Sequence, residues 1–160
     1  MRKLILVRHA KSSWKHNVID HERPLNARGE KDAELVSKYL KGSFNPDLIL
    51  SSNAVRARTT AKVFVKNHGF SGDFFKLNPD LYDFSGSNLL EVIKSCPKNV
   101  KELLIFGHNH AITWFVNTYG NLYIENVPTC GVTIIDFNIE SWDALKQGST
   151  VKTVFPRDLK

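Results

Sequence analysis

The sequence predicts an α/β fold: a three-layer sandwich with a mostly parallel central sheet, helices on both faces and an antiparallel edge strand. Three observations carry this prediction. The aliphatic runs Leu4–Val7, Leu48–Leu50 and Leu103–Phe106 have the unbroken apolar character of strands buried on both faces, as at the centre of a parallel sheet. Segments with apolar residues at helical spacing lie between them, and alternating strands and helices indicate an α/β layer architecture. The three runs end on polar clusters: Arg8-His9, Ser51-Ser52 and Gly107-His108. Ligands of open α/β sheets bind beyond the carboxyl ends of the strands, so a site is expected where those clusters meet.

Taken in order, the chain opens on the Leu4–Val7 strand and continues into a polar stretch, Ala10 to Pro24, that lacks helical periodicity. Loops of this length in compact domains are usually functional. Asn26 is the expected cap of a helix with Ala33, Val36, Tyr39 and Leu40 inward and Gly42 as its terminator. The Leu48–Leu50 strand leads to a helix capped by Ser52 or Asn53 and running to His68-Gly69, with Ala57, Ala61, Phe64 and Val65 inward. Phe74–Leu77 is a weaker strand, Asn78–Ser87 is turn-rich, and Leu89–Ser95 reads as a short helix. After Leu103–Phe106, the stretch Ala111–Tyr119 is helical, with Ile112, Phe115 and Val116 inward. Gly131–Phe137 is β-rich, Trp142–Leu145 forms one helical turn, and Thr150–Phe155 is the closing edge strand.

With 160 residues, 42% hydrophobic and 24% charged, the chain suits one globular domain over residues 1–160 with a core of its own. No apolar run is long enough to span a bilayer, and the N-terminal run stops at Val7, too short for a signal peptide. Cys96 and Cys130 have neither metal-ligand nor redox spacing, which fits a cytoplasmic protein with reduced thiols. The net charge is +6, a balance suited to an anionic partner. Its basic residues are spread along the chain rather than massed in a block, so neither nucleic acid nor a membrane is expected as partner.

Arg8 and His9 at one strand end, Arg56 on the first turn of the helix after the second strand, and His108 at the third strand end form the constellation of interest. Arg8 and His9 alone could merely cap a strand. Together with Arg56 and His108 they fit phosphoryl chemistry. Guanidinium forks match phosphate oxygens in pairs. A neutral imidazole can attack phosphorus, and a second imidazole can bind the equatorial oxygens.

The run Arg8-His9-Ala10-Lys11-Ser12-Ser13-Trp14 resembles the RHG/RHA signature of the histidine phosphatase superfamily, which includes phosphoglycerate mutases, and is most similar to its small SixA-like phosphohistidine phosphatase branch. Arg23-Pro24-Leu25-Asn26-Ala27-Arg28-Gly29, Ser51-Ser52, Arg56 to Ala61, Gly107-His108-Asn109, Pro128-Thr129 and Pro156 to Leu159 continue the resemblance across nearly the whole chain. It implies a hydrolase working through a phosphohistidine intermediate, without cofactor or metal. His9 is then the nucleophile, with Arg8, Arg56 and His108 around the phosphate. Lys11, Ser12 and Thr129 are expected to add contacts. The family's larger members place a glutamate acid after the third strand; here Asp83 is the candidate acid. His110 stands where the family often has proline. Trp14 is read as loop packing, His16 and His21 as solvent-facing, and Cys130 as buried and inert. The small size implies protein phosphohistidine as substrate. A small phosphoester, or phosphate binding without catalysis, are the alternatives.

Overall fold

The computed structural model describes residues 1–160. Six strands form one sheet in the order β3-β2-β4-β1-β5-β6: β1 (Arg2–Arg8), β2 (Leu48–Ser51), β3 (Phe75–Leu77), β4 (Glu102–Gly107), β5 (Val132–Phe137) and β6 (Ser149–Val154). The pairs β1–β4, β2–β4 and β2–β3 are parallel. β5 reverses against β1, and the edge strand β6 pairs antiparallel with β5. Four helices, α1 (Ala27–Tyr39), α2 (Val55–His68), α3 (Ser87–Lys94) and α4 (Ala111–Tyr119), flank the sheet.

Strand residues alternate between faces, and this splits the core in two. Leu4, Leu6, Leu50, Leu103 and Ile105 pack with α3 and α4, while Ile5, Val7, Ile49, Leu104 and Phe106 pack with α1 and α2. Burial of both faces explains the continuous aliphatic runs. No helix is long and apolar enough to cross a membrane.

Local signals hold with two adjustments. Asn26 caps α1, its side chain accepting from the Gly29 N–H, but Tyr39 ends that helix with 56% of its surface exposed rather than facing the core. α2 begins after Ala54 with no side-chain cap. Ser52 instead accepts from the Ala54 N–H, and Asn53 is bonded to His21. Gly69, in the left-handed region, closes α2 as glycine does at helix ends.

Candidate active site

The alternation along β1 carries past its end. Arg8 continues the side that faces α4 and donates from Nη1 to the Val127 carbonyl at 2.9 Å. His9 turns toward α2, and its N–H extends the ladder to the Gly107 carbonyl at 3.1 Å. The strand end is pinned to the helix by Thr60, whose hydroxyl accepts from the Ala10 N–H and donates to the Arg56 carbonyl. Behind it, the Cys130 N–H donates to the carbonyls of both Arg8 and His9. Arg8, His9, Arg56 and His108 thus meet in one cavity of about 470 Å³, and Lys11, Ser12 and Thr129 line it too.

The ring of His9 is buried and its tautomer is set by geometry. Nδ1 lies 2.7 Å from the Ala10 carbonyl, an acceptor that requires the proton on that nitrogen. Nε2 therefore keeps its lone pair, 3.4 Å from the Arg56 Nε–H. Burial pushes the imidazole down to about pKa 3; the Ala10 bond opposes this, and Arg56, Arg8 and Arg23 add to it. His9 is neutral at physiological pH. His108 is also held neutral, chiefly by burial, with His9, Arg56 and Arg8 lowering it further and Asp20 opposing. Its Nε2 is 2.8 Å from the Ser52 hydroxyl, while its buried Nδ1 has no partner. Tyr82 and Phe84 contact the ring edge-on at 5.3 and 5.4 Å. Arg8 has an unpaired Nε and no carboxylate partner, and burial followed by the Arg56 charge lowers its pKa. Buried polar atoms left without partners beside one cavity are costly, and the Arg8 guanidinium is a donor that an anion can pair.

The carboxylate in the cavity is Asp20, not Asp83. Arg56 donates from Nη1 to the Asp20 backbone carbonyl at 2.7 Å and from Nη2 to Oδ2 at 3.0 Å. Arg23 Nε reaches Oδ1 at 3.0 Å, and the Tyr82 hydroxyl donates to Oδ2 at 2.5 Å. Partial burial pulls the Asp20 carboxyl upward, but the Tyr82 and Arg56 bonds, the Arg56 charge and Arg23 outweigh it and hold the group well below the usual range. Asp83 is buried away from the cavity, accepting from the N–H groups of Ser85, Gly86, Asn88 and Leu89. It caps α3 and has no proton to offer a ligand, which corrects the expectation of an acid at that position. The turn supplies Tyr82 to the site instead.

Trp14 is also not loop packing. It lines the cavity with 76% of its surface exposed, and the Arg23 guanidinium lies 3.6 Å from its ring centroid. Arg23 also donates to the Ser12 hydroxyl at 2.6 Å. His110 precedes α4 and does not line the cavity. Cys130 is buried, its thiol pushed up by burial and then by Asp32. No three His, Cys, Asp or Glu side chains are grouped so as to hold a metal ion.

Neutral buried histidines have a consequence for stability. The unfolded chain takes up protons on histidine below pH 6.5, whereas folded His9 stays neutral down to about pH 3; His68 and His108 are shifted the same way. Stability is thus fully present above 6.5 and falls as pH drops, approaching about 1.4 kcal/mol per pH unit for the deeply buried His9, with His108 and the half-buried His68 contributing in the same direction. The depressed carboxyls of Asp20 and Asp83 begin to matter only lower, nearer their ordinary value of 3.8. Urea midpoints recorded between pH 6.5 and 4.5 should decline steadily, and His9→Asn should make the slope shallower. A flat profile there is incompatible with neutral burial.

In this α/β protein two arginines and two neutral histidines thus meet at the carboxyl ends of the parallel strands, where ligands of open α/β sheets bind. The chain belongs to the histidine phosphatase superfamily, branch 1, whose family model matches residues 4–88. An uncharacterised chloroplastic protein of Arabidopsis thaliana is 31% identical over 152 residues, covering 89% of this chain and 69% of that protein. An uncharacterised protein of Mycobacterium tuberculosis is 33% identical over 140 residues, covering 81% of this chain and 85% of its own length. Among solved structures, a chain from Agrobacterium tumefaciens provisionally assigned as the phosphohistidine phosphatase SixA superposes with a TM-score of 0.81 at 23% identity, over 97% of this chain and 98% of that one. The protein histidine phosphatase SixA in complex with tungstate gives 0.79 at 17% identity, over 99% of both chains. The fold is therefore that of the SixA structures, and family membership supports a phosphatase.

Proposed function

We propose that the protein is a metal-independent phosphatase that passes the phosphoryl group through His9 and acts on phosphohistidine carried by proteins. The observation that carries the reading is the state of His9: neutral, with Nδ1–H committed to the Ala10 carbonyl and the Nε2 lone pair beside Arg56. A lone pair on a fixed ring is a nucleophile already aligned for attack on phosphorus. Arg8 and Arg56 balance the charge of the phosphoryl oxygens. When Ser52 donates its hydroxyl to His108 Nε2, Nδ1 carries the proton and becomes a donor to an equatorial oxygen. Lys11, Ser12 and Thr129 add contacts at the side of the cavity. Water then hydrolyses the phosphohistidine on His9 and frees phosphate.

The protein substrate is supported by the surroundings of the cavity. Exposed Trp14 and Phe84 line it, and Ile19 stands 70% exposed next to Asp20. Apolar side chains around an open cleft suit the surface flanking a phosphohistidine more than a small polar metabolite. The tungstate bound by SixA is an oxyanion of the same tetrahedral form as phosphate, which agrees with the use suggested for this cavity.

The test compares phosphate release from a phosphohistidine-bearing phosphotransfer domain with release from a panel of phosphorylated metabolites, each with and without EDTA. The phosphoprotein is expected to be the faster substrate, by at least about tenfold in kcat/KM, with EDTA without effect. Faster metabolite turnover would redirect the assignment to a small phosphoester. Tight phosphate binding with no turnover at all would make the domain a phosphate-binding module.

A further inference from the structure

Asp20 is the only carboxylate lining the cavity, and its place there is specific. Arg56 carries the connection: its Nε–H donates to His9 Nε2 at 3.4 Å, and its Nη2 donates to Asp20 Oδ2 at 3.0 Å. Nε and Nη2 form one side of the guanidinium fork, the side that pairs with two oxygens of a phosphoryl group. A phosphoryl group seated on that side has the His9 lone pair at one end and the Asp20 carboxylate at the other. In-line displacement needs this disposition, with the nucleophile behind phosphorus and a proton donor beside the departing atom. Depth agrees: His9 is 7% exposed, whereas the Asp20 side chain is 43% exposed, on the solvent side where a leaving group emerges.

We propose that Asp20 is the acid that protonates the leaving group, held as a carboxylate by Arg56 in the free protein and protonated when a phosphoryl group takes its place on the fork. The inference rests on the reading of His9 as nucleophile. Arg56, Arg23 and Tyr82 are the groups bonded to Asp20, and Arg56 alone among them also holds the Asp20 backbone carbonyl and lies against His9. A phosphoryl dianion neutralises Arg56 and sets negative charge next to the carboxylate, and both changes favour the protonated form. Solvent supplies the proton. Tyr82 can then turn its hydroxyl to accept or donate as the carboxyl changes state, which keeps the acid in position throughout.

The step balances. The His9 Nε2 lone pair forms the N–P bond as the bond from phosphorus to the leaving atom breaks, and the electron pair left on that atom takes the Asp20 proton. In the return step, water attacks phosphorus and gives its proton to the Asp20 carboxylate, while the N–P electrons go back to His9.

An acid is needed in proportion to how poor the leaving group is, and this separates it from a residue that only positions Arg56. Asp20→Asn is compared with the wild type on phenyl phosphate, a poor leaving group, and on p-nitrophenyl phosphate, a good one. The variant is expected to lose about 100-fold or more in kcat/KM on phenyl phosphate and only a few-fold on p-nitrophenyl phosphate. Activity retained on the second substrate also reports that the variant is folded. Tyr82→Phe is expected to show the same leaving-group dependence in weaker form. Equal losses on both substrates, or no loss on either, overturn the role of Asp20 while leaving His9 as nucleophile. A wild type that turns over neither substrate overturns the phosphatase reading, and this inference with it.

Discussion

His9→Ala is expected to lower turnover of p-nitrophenyl phosphate by about 10,000-fold or more, the scale on which removing an activated nucleophile acts. The loss should fall on kcat. Arg8, Arg56 and His108 all remain to bind phosphate in the variant, so its affinity for inorganic phosphate should change little. A second readout follows from the chemistry. Acid quenching would destroy an N–P bond, so wild-type protein mixed with radiolabelled substrate should be trapped at alkaline pH, carrying label on histidine. His9→Ala should carry none. The bond from Nδ1 to the Ala10 carbonyl places that label on Nε2, which mass spectrometry or phosphorus NMR can distinguish from Nδ1. Label on Nδ1, or unchanged turnover in the variant, would sink the mechanism.

How far this site could be read in advance depended on how directly the backbone positions each side chain. Arg8, His9 and His108 sit at or just past the carboxyl ends of central strands with buried apolar runs, and Arg56 in the first turn of the helix that follows another. Hydrophobic runs place such residues almost by counting, because a strand in the middle of a sheet has one register and one carboxyl end. Asp20 lies in a polar loop with no periodicity, and its position follows from tertiary bonds to Arg23, Arg56 and Tyr82 that no local pattern announces. The one available hint was its place just before the Arg23-Pro24 pair. The turn after β3 contributes to the site through Tyr82 rather than its neighbour Asp83. In irregular backbone, adjacent side chains diverge. Tyr82 faces Asp20, while Asp83 is consumed by the open amides at the start of α3, where a carboxylate is most stable. Trp14 departs from the expected loop packing for a related reason: a large aromatic is usually buried, but this one stacks with Arg23 at the cavity rim.

Gly29→Ala carries the largest expected effect on stability. The glycine lies in the first turn of α1 with helical backbone, and at an exposed helical position the added methyl would stabilise by up to about 1 kcal/mol. Here the sign reverses. A Cβ at Gly29 would sit 2.0 Å from the Lys11 carbonyl oxygen and 2.9 Å from the Lys11 carbonyl carbon and nitrogen. The obstacle is backbone, which cannot rotate aside, and that same carbonyl accepts from the Asn26 N–H at 3.0 Å. Overpacking of this kind costs about 1–3 kcal/mol, so urea unfolding of Gly29→Ala should show a lower midpoint with unchanged slope. Gly72→Ala, at a glycine with nothing within 4 Å of the added Cβ, serves as the neutral control. The damage should extend to chemistry. Lys11 follows Ala10, whose carbonyl fixes the His9 tautomer, and any shift that relieves the clash by moving the Lys11 segment loosens that bond. Activity of the residual folded fraction should therefore fall as well, in kcat more than in KM. A variant as stable and as active as the wild type would mean that α1 does not press on the segment behind His9, and that the position of the nucleophile is set by β1 alone.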